Sequence, residues 1–280
     1  MTVLNLSFFS NPFLIMALLA GLCAAFAGGI IGTYVVVKRI VFISGSIAHS
    51  VLGGMGLALF LNRTFHWTLL HPVFGALIFA LIAAFLIGWI RLYHQQREDT
   101  VIASLWTSGM ALGVIFLSLT PGYNVEVLNF LFGNILWSSQ SDLWLLLALD
   151  LCIFTSVLLL HKKFVAICFD EKQAKLQGLN THLLYFILLS LVAITVVLLI
   201  QVVGAILVIA ILSLPSAMAN RFTHKVSTMM VLAVIFGMGL TFLGIMFSSS
   251  LNWPPGATIS LITTLGYFLS FLCKKKSTAN

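Results

Sequence analysis

Charge is what this sequence has least of. Of its 280 residues seven are acidic and fourteen are lysine or arginine; 8% are charged, 61% are hydrophobic, and the mean hydropathy is +1.13. A soluble domain carries about 25% charged residues, so this chain cannot cover itself with polar surface. It reads as an integral membrane protein whose apolar runs are long enough for helices rather than barrel strands. No polar stretch is long enough for a separate soluble domain, so residues 1–280 read as one transmembrane domain.

Other absences remove function classes. No GxxxxGK[ST] occurs, so the chain does not bind ATP through the usual phosphate-cradling loop, and neither HExxH nor GxSxG is present. The chain is therefore expected not to be an enzyme and to bind no cofactor; if ATP drives it, another subunit supplies the ATP site. The four cysteines, Cys23, Cys152, Cys168 and Cys273, form no CxxC pair and lie in or beside apolar runs, as inert thiols do. The N-terminus has no basic leader and the first apolar run no small-residue cleavage site, so that run is expected to be a retained span.

The cations that are present give a net charge of +7. They fall in short clusters between apolar runs, the pattern that sets orientation in a bilayer, and nucleic acid is not an expected partner whereas membrane lipid is. Spans are expected at about 12–37, 40–61, 72–92, 101–119, 143–160, 226–247 and 257–272. The apolar run 183–214 is too long for one span, and Gln201 with Gly204 marks a break within it. The total is then about eight to nine transmembrane helices in an all-α polytopic protein. With the break, Lys38/Arg39, Arg91/Arg97, Lys162/Lys163, Arg221/Lys225 and Lys274–Lys276 all fall on one side, the cytoplasm, and only Arg63 lies opposite. The N-terminus is then outside and the C-terminus inside. Segment 124–137, interrupted by Asn129, Gly133 and Asn134, reads as re-entrant or interfacial, and Pro215 is expected to help close the span after the break.

Against this background two ionisable residues stand out. His49 lies about ten residues into the run that begins at Lys38, roughly 15 Å deep at 1.5 Å per residue. Gly45 and Gly53 flank it one turn either way, which lets a neighbouring backbone approach and turns the imidazole toward protein. It is either a satisfied histidine or a ligand or proton carrier on a transport path. Asp150 sits at comparable depth in the fifth span, where a carboxylate needs a partner or a wet cavity; pairing with His49 is one possibility. His66 and His71 are candidates for the outer mouth only because they lie on that side. The most polar passage, 169–180 (FDEKQAKLQGLN), reads as a short amphipathic helix stopped by Gly178, either a solvated connector or a docking element for a cytoplasmic partner.

Several segments together resemble one family. VVVKRIVFISGSIAHSVLGGMGLAL, NFLFGNILWSSQSDL, FDEKQAKLQGLN, VVGAILVIAILSLPSAMANR and LNWPPGATI, in this order over nearly the whole chain, are similar to the membrane permeases of bacterial ABC importers for zinc and manganese, sometimes iron (the metal ABC-3 permease family). The resemblance implies an architecture related to cobalamin and iron-chelate importer permeases, in the bacterial inner (plasma) membrane. It implies a pathway between two copies of the chain, cytoplasmic ABC ATPase subunits gripping the 169–180 helix through Phe169, Asp170, Glu171, Ala174 and Gly178, and an extracytoplasmic metal-binding protein. The cargo is a divalent transition metal ion, His49 a contact on its path, and Gly204 and Pro215 a structural hinge. One position departs: many members carry an aspartate four residues before the histidine, where this chain has Gly45. The alternatives are a permease for an iron chelate or cobalamin and a proton-coupled secondary transporter using His49 and Asp150.

Overall fold

The computed structural model describes residues 12–65, 71–93, 98–121, 130, 133, 140–205 and 208–272. Every element within them is helical: α1 Pro12–Lys38, α2 Val41–Phe65, α3 Pro72–Tyr93, α4 Glu98–Leu119, α5 Gln140–Phe169, α6 Glu171–Leu176, α7 Thr181–Val203, α8 Val208–Phe222, α9 Val226–Leu251 and α10 Pro255–Ser270. Seven of these (α1–α5, α7 and α9) are long and apolar enough to cross a bilayer, α8 is a shorter apolar helix, and α10 has 16 residues. Seven spanning helices and one shorter apolar helix among the described residues meet the lower end of the expected eight to nine.

The expected break is where the sequence placed it. α7 ends at Gly204, whose φ of 84° is open to glycine and strained for other residues. The chain reverses there. The Leu199 side chain and the Ile211 carbonyl both lie beside Gly28, and further along α1 Gly32 faces Leu212 and Ser216, so α8 runs parallel to α1 and antiparallel to α7. A Cβ on Gly32 would stand 1.9 Å from the Leu212 carbonyl oxygen, so only glycine allows these backbones to meet. Segment 124–137 lies largely outside the described residues. Its two described positions touch the break: the Phe130 carbonyl accepts from Ala205 N at 2.9 Å, and Gly133 sits against Val203 and Gly204.

Three boundaries differ from expectation. α5 continues nine residues past Leu160, through His161, Lys162 and Lys163, because nothing between 160 and 169 breaks a helix. Ser248–Ser250 belong to α9, which stops at Asn252 in the left-handed conformation. Pro215 lies inside α8 rather than at its end. Its missing N–H leaves the Ile211 carbonyl without the usual i+4 donor, and that carbonyl faces Gly28 of α1.

Contacts between helices fix which ends lie together. Tyr34 meets His161, Lys38 meets Ile167, Arg91 meets Tyr185, His161 meets Ser227 and Arg221 meets Ser270. Every described cation except Arg63 therefore gathers at one end of the bundle; Arg63 donates to the Pro121 carbonyl at the other, 3.3 Å away. Arg97 and Lys274–Lys276 lie outside the described residues. At the basic end α1 and α2 are joined by Arg39 and Ile40 alone. Arg39 has φ 61°, and the bonds Ile40 N to Val35 O (3.0 Å) and Arg39 N to Val36 O (3.1 Å) close α1 in a Schellman motif.

Candidate functional site: a histidine on α2 and a capped helix at the basic end

α2 is the most enclosed of the long helices, packed between α3 and α4 with α8 beyond its Gly45 face. Ser46 and Ser50 turn toward α4 and donate to the carbonyls of Ile102 (2.9 Å) and Leu105 (3.1 Å), so the hydroxyl stripe beside His49 ties two helices together. His49 is half-buried. Its ring lies nearly parallel to the indole of Trp106 on α4, with centroids 4.1 Å apart and 16° between the planes. Neither ring nitrogen is bonded to any described residue, which leaves the imidazole lone pair uncommitted. Gly45, one turn earlier, is buried against Ile209 and Trp106; a Cβ there would come within 2.6 Å of the Ile209 Cδ1, a movable side-chain end.

Asp150 is elsewhere. It faces α1 and α9 in an open-sided apolar cavity of about 390 Å³ lined by Cys23, Phe26, Leu147, Phe154 and Met238 among others. It is 7% exposed, and its Oδ1 has no hydrogen-bond partner among the described residues. His49 packs on α4 and Asp150 between α1 and α9, so the structure does not bring them together as a pair. No group of three or more His, Cys, Asp or Glu side chains comes together among the described residues. His71 is exposed just ahead of α3, and His66 lies outside the described residues.

The polar passage after α5 forms a helix of one and a half turns with both ends closed. Asp170 caps its start, accepting from Lys172 N (2.9 Å) and Gln173 N (3.0 Å). Gly178, at φ 80°, ends it, with Leu179 N bonded to Ala174 O (3.2 Å) and Gly178 N to Lys175 O (3.0 Å). Nothing lies within 4 Å of where a Gly178 Cβ would be, so the glycine is required by its backbone angle and not by crowding.

Of the five residues expected to meet a partner here, two face the bundle. Ala174 is buried beneath the helix. Glu171 lies 2.5 Å from Lys38 Nζ and 3.7 Å from Arg91 Nη2. Lys38 also donates to the Ile167 carbonyl, and Arg91 donates to Tyr185 Oη at 2.7 Å while its guanidinium covers the Tyr185 ring. Glu171 therefore anchors α6 to α1, α3 and α7. The outward face is made by Phe169, 68% exposed, and Leu176, 89% exposed, with Lys172 and Lys175 between them. Sequence reasoning passed over Lys38, Arg91 and Tyr185 as partners, because their meeting depends on three helix ends that only the fold brings together.

The model of the ABC 3 transport family matches residues 10–274. The chain belongs to the ABC 3 transport family. This ABC 3 protein is 47% identical over 269 residues to a probable metal transport system membrane protein of Chlamydia pneumoniae, covering 95% of this chain and 92% of that one. It is 31% identical over 264 residues to a manganese transport system membrane protein of Listeria monocytogenes, covering 94% and 91%. Among solved structures it is similar to PsaBC from Streptococcus pneumoniae in complex with Fab, with TM-score 0.86, 26% identity and coverage of 96% and 95%. A metal-chelate type ABC transporter in an inward-facing conformation has the same fold at TM-score 0.72 and 17% identity, covering 92% of this chain and 85% of that one. The ABC 3 protein is thus a multi-pass membrane transport protein with the fold expected from its sequence.

Proposed function

We propose that this chain is the permease subunit of an ABC importer that carries a divalent transition metal ion, manganese or zinc and in some settings iron, into the cytoplasm. The observation that carries the reading is the end-to-end similarity to metal and manganese transport membrane proteins. The whole chain acts as one permease domain in the bacterial inner membrane. The basic end faces the cytoplasm, the N-terminus lies outside and the C-terminus inside, as the clustering of cations favours.

Two copies form the pathway at their interface, and an extracytoplasmic metal-binding protein delivers the ion. A cytoplasmic ATPase subunit grips α6 on each copy, meeting Phe169, Leu176 and the lysines between them. Glu171 and Ala174 hold α6 on the permease, Asp170 and Gly178 set its ends, and Gly204 with Pro215 lets α7 and α8 tilt separately. His49 is a transient ligand on the path, since neutral imidazole binds divalent transition metals and a lone ligand releases them. Asp150 stands outside this path, because its cavity is lined by residues of α1, α5 and α9 and by none of those around His49.

The test is uptake of manganese(II), zinc(II) and iron(II) by cells carrying the full transporter, compared with the same cells carrying an ATPase subunit that cannot hydrolyse ATP. Uptake of one or more of these ions only with the working ATPase is expected. Uptake that survives loss of ATP hydrolysis, or none with any free ion, overturns the proposal.

A further inference from the structure

The contact between His49 and Trp106 is the shortest and flattest ring pair among the described residues, at 4.1 Å and 16°. The other ring pairs stand at least 5.1 Å apart and all but one are tilted or edge-on. The indole reaches past the histidine along α2 as far as Gly45, where its Cζ3 lies 3.7 Å from the position a Cβ would take. One large aromatic face therefore spans a full turn of α2. His49 belongs to no group of three or more His, Cys, Asp or Glu side chains among the described residues.

The surroundings differ from the lipid-facing sides of the bundle. Beside Trp106, the exposed face of α4 carries Ser104, Thr107 and Ser108, each donating to a carbonyl of its own helix and keeping oxygen lone pairs for water. The exposed face of α3 is instead Phe74, Ile78, Ile82 and Phe85. The His49–Trp106 pair thus adjoins a face that water can wet.

We propose that Trp106 is the positioning residue for His49 in cation passage, holding the imidazole flat against its indole and gripping it more strongly once the ring bears a cation. This rests on His49 being a contact on the metal path. An imidazole that gives its lone pair to a divalent ion becomes electron-poor, and an aromatic face attracts a cationic ring more than a neutral one. The attraction is greatest for indole, smaller for a phenyl ring and absent for an aliphatic side chain. Trp106 therefore supplies, by its π face, an attraction for the cation at this point.

The experiment measures manganese(II) uptake kinetics by the intact transporter carrying W106F, W106L, H49A or H49A with W106L, with assembly of each variant checked by size-exclusion chromatography. The expected result is a KM about tenfold higher in W106L and about threefold higher in W106F, with a smaller change in maximal rate, and W106L adding nothing to H49A. A normal KM in W106L beside an impaired H49A overturns the role of Trp106 and leaves that of His49 standing. A W106L defect that is undiminished in the H49A background marks a purely structural contact and overturns it too. An unchanged H49A removes His49 from the path and the proposal with it. If W106L does not assemble, the comparison of W106F with the natural chain decides, and equal KM values overturn the proposal.

Discussion

Lys38, at the last position of α1, and Glu171, at the first of α6, meet at 2.5 Å, with the lysine side chain 8% exposed. A cation so enclosed depends on its partners more than a surface lysine does, because removing one leaves a charge with little access to water.

The first prediction concerns this contact. E171Q is expected to weaken the seating of α6 by about 1–2 kcal/mol, discounted because Glu171 is partly solvated and Lys38 keeps the Ile167 carbonyl. E171K is expected to abolish ATP-driven uptake while the permease still inserts, and exchange of the pair (K38E with E171K) to recover part of it. Uptake by the three variants, normalised to permease in the membrane, is the measurement; full uptake in E171K would show that the contact is dispensable.

Gly178 separates backbone strain from contact with a partner. Because open space surrounds it, G178A and G178L are expected to cost the permease alone the same amount, about 1–2 kcal/mol for a left-handed conformation, and G178N less. In the assembled transporter the leucine is expected to uncouple ATP hydrolysis from uptake more than the alanine. Thermal unfolding of the purified permease and coupled ATPase assays check the two halves; equal coupling in G178A and G178L would remove the docking role.

Gly32 tests the close approach of α1 and α8. An alanine there meets the Leu212 carbonyl, a backbone atom that cannot swing aside. G32A is expected to lower stability by about 3 kcal/mol or more, read as loss of folded protein in detergent. A folded G32A of normal thermal stability would mean that the two helices are free to separate.

Asp150 gives the opposite sign. A buried carboxyl with an unpartnered oxygen in an apolar cavity costs stability, so D150L is expected to raise the unfolding temperature and leave metal uptake within about twofold of normal. A severe loss of uptake in D150L, with the protein folded, would return Asp150 to the path.

Much of the fold was legible because hydropathy reports spans directly. The α7–α8 break was legible through Gln201, Gly204 and the one-sided placement of cations that it permits. The left-handed stop at Gly178 was readable from residue type alone. The rest depends on tertiary contact. That Glu171 turns inward requires knowing that α1 and α3 end beside α6, and one sequence without a register between helices does not show this. Trp106 looks like any aromatic in a span until Ser46 and Ser50 fix how α4 lies against α2. Pro215 reads as a helix end by its missing N–H, yet the helix runs on because Gly28 lets the freed Ile211 carbonyl lie against α1.

The two-residue junction of α1 and α2 has a mechanical result. Arg39 and Ile40 are held by two backbone hydrogen bonds to α1, so there is no slack between Lys38, where α6 is fastened, and Val41, where the histidine helix begins. Displacement at Glu171 has no loop in which to dissipate before it reaches α2, and His49 is only eight residues further on, roughly 12 Å along the helix. On the proposed function, a partner's pull on α6 and the contact proposed for His49 are then two points on one crank.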